Sequence, residues 1–287
     1  MTHAPFDLEV SHPEGSRILH CDAHPPIGDA RQRGVVLVVH GFKGYKDYGM
    51  FPALAATCAA AGFAAIRFNL AHSGMTRDVE RFARPDLFTL DTWLRQVHDI
   101  DTLVAAVRRG EAPGVLDSGP IVLLGHSRGG VASILAGGRD EGIDHVIAVS
   151  APGATRGLEG LSEAELARLE ANGTLETASA RTGQVLAVGR AFFDEVDADP
   201  AGHDVEAHAR RLGRRLSVIH GEADPTVPAE DAIRIATAAG GEAILVPEAD
   251  HVFNVTNPHP GDATPSPQLA ALQARIGEIL DSVGKRG

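Results

Sequence analysis

Gly125-His126-Ser127-Arg128-Gly129 spells G-x-S-x-G between the apolar run Ile121-Val122-Leu123-Leu124 and a helix-compatible stretch over residues 130–136. A strand, a sharp turn and a helix in this order form the setting in which a nucleophilic serine is presented above a sheet. The turn forces the serine into a strained backbone conformation, and its neighbours must be small because strand and helix pass close together. The pattern predicts a nucleophile at Ser127, although a glycine-rich turn around an ordinary serine would look the same over the pentapeptide alone.

A second segment, Val35-Val36-Leu37-Val38-Val39-His40-Gly41-Phe42, runs from an apolar stretch straight into His-Gly. Because residues 35–39 are all apolar, they predict a strand that is buried on both faces of a parallel sheet. In enzymes with this serine turn, one oxyanion donor follows that strand and the other follows the nucleophile. The backbone N–H groups of Phe42 and Arg128 are therefore the predicted oxyanion hole.

The C-terminal half of the chain offers an acid and a histidine. Leu216–Gly221 predicts a strand that leads into a loop with Asp224, and 243–246 predicts another strand that is followed closely by His251. The order Ser127, Asp224, His251 is the nucleophile–acid–histidine order of the same class of enzymes. The interval from Asp224 to His251 accommodates one helix and one strand. These three residues are the predicted catalytic set.

Two other carboxylates, Glu222 and Asp250, compete with Asp224 for the role of the acid. We expect Asp224, because a loop that follows a buried strand and is pinned by Pro225 and Pro228 holds a carboxylate in a fixed place.

Several other histidines compete with His251. We expect the side chain of His126 to point away from the pocket, and we expect His40 to order the loop before the oxyanion glycine. His72, beside Ser73-Gly74, is a candidate for the pocket wall. The segment 20–24, His-Cys-Asp-Ala-His, has residue types that bind metals, but its spacing matches no strong zinc pattern, so no metal site is predicted.

Taken together, these segments resemble the α/β-hydrolase superfamily of serine hydrolases. The most similar groups are bacterial proteins related to cinnamoyl/feruloyl esterases, dienelactone hydrolases and serine aminopeptidases. The resemblance spans roughly residues 15 to 280. It implies an α/β-hydrolase fold, with a mostly parallel eight-stranded sheet flanked by helices and a small helical cap insertion. It also implies that no cofactor is needed. It says little about the substrate, because this fold supports many chemistries.

The strand–helix pattern stops between Ser150 and about Arg214. We expect residues 1–150 and 215–287 to form the core domain and residues 151–214 to form a cap, or lid, over Ser127. Phe192 and Phe193 are candidates for the substrate pocket, since the core does not obviously claim them. The alternative is surface decoration that packs on the sheet.

Three further parts of the sequence predict how their residues pack. Phe6–Val10 and Arg17–Cys21 predict an antiparallel hairpin at the sheet edge. Trp93 opens an amphipathic helix and is expected to pack in the core rather than contact substrate. Lys43–Tyr48 is rich in charged and aromatic residues, and it predicts either a mobile loop over the site or a solvated turn.

The amino-acid composition limits the kinds of protein that this chain can be. The chain has 287 residues, 44% of them hydrophobic, which suffices for one α/β domain with a full core. Its net charge of −12 argues against nucleic-acid binding and mildly disfavours a strongly anionic substrate. Two cysteines give no disulfide framework. We see no signal-peptide pattern and no apolar run of about 20 residues, so we expect a cytoplasmic protein without a membrane partner.

The residues thus predict a hydrolase that cleaves small-molecule carboxylic esters by way of an acyl-enzyme. A peptidase or a thioesterase with the same three residues remains an alternative. A non-catalytic binding module on the same fold is a third, disfavoured because a binding protein has no need of the full catalytic set. The sequence leaves the oligomeric state open, a homodimer included.

Overall fold

The computed structural model describes residues 3–27, 31–259 and 264–285. In chain order, the strands within these residues are β1 (Ala4–His12), β2 (Gly15–His24), β3 (Val35–Val39), β4 (Ala64–Phe68), β5 (Ile121–His126), β6 (His145–Val149), β7 (Thr174–Ala178), β8 (Val185–Gly189), β9 (Leu216–Gly221) and β10 (Ile244–Val246). The α-helices within them are α1 (Phe51–Ala60), α2 (Pro85–Thr89), α3 (Trp93–Arg108), α4 (Arg128–Gly137), α5 (Glu163–Asn172), α6 (Ala191–Ala198), α7 (Val205–Leu212), α8 (Ala229–Ala238) and α9 (Pro267–Val283).

The main sheet of the described residues has eight strands in the order β1-β2-β4-β3-β5-β6-β9-β10. From β4 to β10 every neighbouring pair is parallel, whereas β1 and β2 are antiparallel and form the predicted hairpin at the edge. The expected mostly parallel eight-stranded sheet flanked by helices is confirmed. The carboxyl ends of β3, β5, β6 and β9 meet at one edge of this sheet, so the residues that follow these strands are brought together there.

The sheet has an apolar core on each face. Alternate residues of a strand point to opposite faces, and in β3 Val35, Leu37 and Val39 join one core while Val36 and Val38 join the other. Helices α3, α4, α7 and α8 cover the first face, and α1 and α9 cover the second. This double cover explains why β3 is apolar at every position.

The segment between β6 and β9 contains more than helices. It holds α5, α6 and α7, and it also holds an antiparallel two-stranded sheet of β7 and β8. The resemblance implied a small helical cap here, but Val185–Gly189 forms a strand, because a short apolar run does not distinguish a strand from a helix. Helix α7 packs against α4 and α8 of the sheet-flanking layer. The division into a core and a cap at 151–214 stays a prediction.

A buried group of charged residues holds the loop that follows β3. Lys46 pairs with Asp22 of β2 and with Asp47, and Arg67 of β4 pairs with both of these carboxylates. The guanidinium of Arg67 also donates to the carbonyl oxygen of Lys46 at 2.7 Å. Asp22, Lys46 and Arg67 are all buried. The interpretation of Lys43–Tyr48 as a solvated turn is therefore wrong, since the aliphatic stem and the ammonium of Lys46 are enclosed by the sheet edge.

We expect Asp22→Asn to destabilise the fold by about 3 kcal/mol, because it removes one of two carboxylates that compensate two buried cations. The free energy of unfolding in urea measures this. The control is Asp281→Asn, since Asp281 pairs with Arg33 at 2.7 Å but is 61% exposed, where solvent screens the pair. Equal losses in the two variants would contradict the assignment of the buried group as a structural network.

Candidate active site

Ser127 occupies a strained turn between β5 and α4. Its φ of 54° and ψ of −123° lie in a region that side chains rarely adopt. The N–H of Ser127 donates to the carbonyl oxygen of Val149, the last residue of β6, at 2.8 Å. Gly129 cannot carry a side chain, because a Cβ there would lie 2.4 Å from the backbone oxygens of Val39 and His40. The turn is thus held from both neighbouring strands, and the serine hydroxyl is presented at the carboxyl edge of the sheet.

The loop after β3 lies directly against this turn. A Cβ on Gly41 would lie 3.0 Å from Cβ of Ser127 and 3.5 Å from N of Arg128. His40 orders this loop, as expected: its Nδ1 donates to the carbonyl oxygen of Gly41 at 2.9 Å, and its Nε2 accepts from the N–H of Leu70 at 3.1 Å. Burial lowers the pKa of His40 to about 4, so the ring stays neutral. Within the described residues, the N–H groups of Phe42 and Arg128 donate to no protein acceptor.

Asp224 and His251 form a hydrogen-bonded pair. Nδ1 of His251 lies 2.7 Å from Oδ2 of Asp224, whose side chain is fully buried. Oδ1 of Asp224 accepts from the N–H groups of Thr226 and Val227 at 2.8 and 3.0 Å. Burial raises the pKa of Asp224, but hydrogen bonds from His220, His251 and these two N–H groups outweigh it and hold the pKa below its usual range. The carboxylate is therefore ionised, and it fixes the tautomer of His251 that leaves Nε2 as a base.

The two rival acids lie in other environments. Glu222 is exposed. Oδ1 of Asp250 accepts from the N–H groups of Val252 and Asn254 at 2.9 and 2.7 Å, so it caps its own loop. Among the three carboxylates that the sequence offered, Asp224 is the one that contacts His251.

His220 belongs to the candidate site, although the sequence analysis did not identify it. Its Nε2 lies 2.9 Å from the carbonyl oxygen of Val227 and 3.3 Å from Oδ2 of Asp224. The ring is completely buried. The signal was its position four residues before Asp224, but only the loop conformation shows that the chain turns back over the ring. The contact with His220 therefore helps to fix the orientation of the Asp224 carboxylate.

His126 differs in part from expectation. It is buried and hydrogen-bonded, as expected, with Nε2 2.7 Å from the backbone oxygen of His251. However, its ring lies 4.9 Å from that of His251 and lines a cavity beside Ser127, so it does not point away. Burial, followed by the neighbouring His251, lowers the pKa of His126 to about 3. A neutral His126 supports the histidine loop without adding charge to it.

Two cavities meet at Ser127. The smaller, of about 200 Å³, also contacts His251, Lys43 and Arg181. The larger, of about 550 Å³, is lined mainly by aromatic and apolar side chains. Ser127 and Phe42 line both cavities. An ester bound with its carbonyl at Ser127 could therefore place one half in each cavity.

The larger cavity contains most of the predicted pocket residues. Phe192 and Phe193 of α6 line it, as does Trp93, which the sequence analysis assigned to core packing alone. The rings of Trp93 and Phe192 are 5.2 Å apart. His72 is not brought to either cavity: it is fully buried, with its ring 4.4 Å from that of His12. His72 is therefore not part of the candidate site, because the turn after β4 directs its side chain toward the edge strand β1.

Neither a metal site nor a membrane-spanning helix is found in the part of the chain that the structure describes. These residues contain no cluster of three or more histidine, cysteine, aspartate or glutamate side chains that could hold a metal ion. In the metal-capable segment 20–24, His20 pairs with Asp7 and Cys21 is buried. No described helix is both long and apolar enough to cross a membrane.

Comparison with known proteins extends over most of the chain. A family model described as the alpha/beta hydrolase family matches residues 35–264. Est1E from Butyrivibrio proteoclasticus with ferulic acid bound is 17% identical with a TM-score of 0.71, over 96% of this chain and 98% of that one. A putative hydrolase from Agrobacterium vitis is 16% identical with a TM-score of 0.70, over 98% and 100%. A serine hydrolase without a lid from Xanthomonas campestris is 16% identical with a TM-score of 0.56, over 98% and 96%. No curated protein sequence matches significantly. At these identities, the structural likeness shows the fold.

We expect Asp224→Asn to slow the reaction of Ser127 with a fluorophosphonate by at least ~10³-fold, because an amide favours the wrong tautomer of His251. The labelling rate, followed by mass spectrometry, measures this. Glu222→Gln and Asp250→Asn are the controls, and each should retain labelling within a fewfold of the wild type. If either control lost reactivity while Asp224→Asn kept it, the acid would be assigned to the wrong residue.

Proposed function

Because the chain belongs to the alpha/beta hydrolase family, we propose that it is a serine hydrolase that cleaves carboxylic esters by way of an acyl-enzyme. The observation that carries this proposal is the hydrogen-bonded Asp224–His251 pair, whose histidine lines the same cavity as the strained Ser127. The strained backbone of a non-glycine residue at this point lowers the stability of the fold. A functional role for Ser127 explains why the strain is present.

The roles of the proposed triad follow from its chemistry. The Ser127 hydroxyl attacks the acyl carbon while Nε2 of His251 takes its proton. Asp224 stabilises the imidazolium that forms. The N–H groups of Phe42 and Arg128 bind the oxyanion, and each such donor is worth about 3 kcal/mol in the transition state. His251 then returns the proton to the leaving alcohol, and water releases the acyl group by the same steps in reverse.

The two cavities support a small-molecule substrate. Their volumes of about 200 and 550 Å³ suit an ester with one compact half and one larger half. The side chain of Lys43 donates to the carbonyl oxygen of Ala178 in β7 at 2.8 Å, so β7 contacts the loop that carries Phe42. We propose that this segment acts as the cap. No step of the reaction needs a cofactor or a metal.

Two other functions stay open. A peptidase or a thioesterase would use the same three residues, and no contact among the described residues favours either over an esterase. A non-catalytic binding module is disfavoured by the assembled Asp224–His251 pair and by the strain at Ser127. A cytoplasmic location and a homodimer stay predictions.

The nucleophile is tested with Ser127→Ala. This variant should lose at least ~10³-fold in kcat on any accepted ester and keep its circular dichroism spectrum, because it removes the attacking atom and little packing. A panel of p-nitrophenyl esters, acyl-CoAs and aminoacyl anilides separates the esterase from the thioesterase and the peptidase. Persistent fluorophosphonate labelling of the variant at another serine would overturn the assignment.

The cap is tested with the double variant Phe192→Ala/Phe193→Ala. It should shift the preferred acyl or alcohol chain length, because both rings line the larger cavity. Stability should also fall, since both rings are buried, and a lost core phenylalanine costs about 3–5 kcal/mol. The control, Phe63→Ala, removes a buried ring from the opposite core, and it should lower stability without changing the preference. An unchanged preference in the double variant would make both residues ordinary packing residues.

A further inference from the structure

The side chain of Arg128 is enclosed by aromatic rings beside the nucleophile. Its guanidinium carbon lies 4.1 Å from the ring centre of Phe42, 4.4 Å from that of Phe192 and 5.5 Å from that of Trp93. Phe42 lies on the loop after β3, Phe192 on α6 and Trp93 at the start of α3. These rings pack against the guanidinium, and its N–H groups form the edge that can bind a ligand.

Part of that edge has no partner. Nη1 of Arg128 pairs with Oδ2 of Asp91 at 3.1 Å. Among the described residues, no acceptor contacts Nε or Nη2 of Arg128. Neither nitrogen is completely shielded from solvent. The side chain is 13% exposed and lines the larger cavity together with Ser127. Nε and Nη2 of an arginine form the planar fork that binds both oxygens of a carboxylate.

Asp91 does not fully compensate the charge of Arg128. Oδ2 of Asp91 also accepts from Nε2 of Gln96 at 2.7 Å, and its Oδ1 is buried without a partner. Burial raises the pKa of Asp91, which weakens it as a counter-ion. Nε and Nη2 of Arg128 therefore stay available to an anion in a largely apolar cavity.

The other charged groups of the cavity are engaged or exposed. Nε of Arg156 donates to the carbonyl oxygen of Gly160 at 2.8 Å, and its Nη2 pairs with Glu165 at 2.8 Å. Glu176 is exposed at the rim, where water screens it. Nη1 of Arg156 has no acceptor among the described residues, but this side chain is 48% exposed. Arg128 is the cation of this cavity whose unpaired nitrogens are shielded from bulk water.

We propose that Arg128 determines the specificity of the larger cavity, and that the substrate carries a carboxylate on the half that occupies it. This inference rests on the proposed esterase function and narrows the substrate class to hemiesters of dicarboxylic acids or esters of carboxylated alcohols. The net charge of −12 favoured an uncharged substrate, but a bound group meets the local cation rather than the total charge. An anion here forms charge-assisted hydrogen bonds that a neutral ester cannot form.

The test compares matched charged and neutral substrates. For the acyl half, mono-p-nitrophenyl adipate, pimelate and suberate are compared with the corresponding primary amides. For the alcohol half, 4-carboxyphenyl butanoate is compared with 4-carbamoylphenyl butanoate. We expect kcat/KM of the wild type to favour the carboxylate by about 10- to 100-fold in at least one pair.

The variants assign that preference to one side chain. Arg128→Gln should abolish it, and Arg128→Lys should keep only part of it, since a lysine supplies charge without the fork. In the double variant Asp91→Asn/Arg128→Gln, no buried carboxylate is left without its partner. This variant should show the same loss of preference as Arg128→Gln. Arg156→Gln is the matched control and should leave the ratio within about twofold of the wild-type ratio.

Binding provides a readout that does not depend on hydrolysis. Adipamate, the monoamide, should bind the wild type about tenfold more tightly than adipamide by calorimetry, and Arg128→Gln should remove the difference. If neutral esters are cleaved with no charge preference in any pair, the inference about Arg128 fails while the esterase proposal stands. If no ester is cleaved and Ser127 is not labelled, the esterase proposal fails, and equal binding of adipamate and adipamide would then overturn the inference as well.

Discussion

The close approach of β3 to the turn at Ser127 is the constraint on which the rest of the site depends. The backbone oxygens of Val39 and His40 lie so near Gly129 that no side chain fits there. The same approach places the loop of Phe42 beside the first N–H of α4. The hydrogen bond from Ser127 to Val149 then holds the turn from the other side. Serine geometry and the proposed oxyanion hole are thus one consequence of parallel strand packing around β5.

The acid–histidine pair depends on a different physical effect. A buried carboxylate is costly unless its oxygens are satisfied, and Asp224 accepts from two backbone N–H groups as well as from His251. His220 closes the remaining side. Because the loop supplies these donors before any substrate binds, the orientation of His251 is set in the resting protein. This preorganisation is what makes electrostatic stabilisation effective in a catalytic site.

The larger cavity combines residues of the proposed cap with residues of the sheet-flanking elements. Phe192 comes from the segment between β6 and β9, whereas Phe42, Trp93 and Arg128 come from three elements of the core. The rings of Phe42, Trp93 and Phe192 contact the guanidinium of Arg128 and so link these elements around one cation. A change in the position of α6 would therefore alter the environment of Arg128, so the proposed specificity and the position of the proposed cap are linked through direct contact.

The amino-acid sequence alone determined the fold class, the parallel central strands and the order of Ser127, Asp224 and His251, because apolar runs, glycine turns and motif order are local properties. It also favoured Asp224 over its rivals because of the two prolines in its loop, and the structure places Asp224 against His251. Only the tertiary structure decided the roles of His220, His126 and Trp93 and the exclusion of His72. The physical reason is that a side chain's partners across the sheet, the direction of a loop and the faces of a stacked guanidinium depend on residues distant in sequence, which periodicity and spacing do not encode.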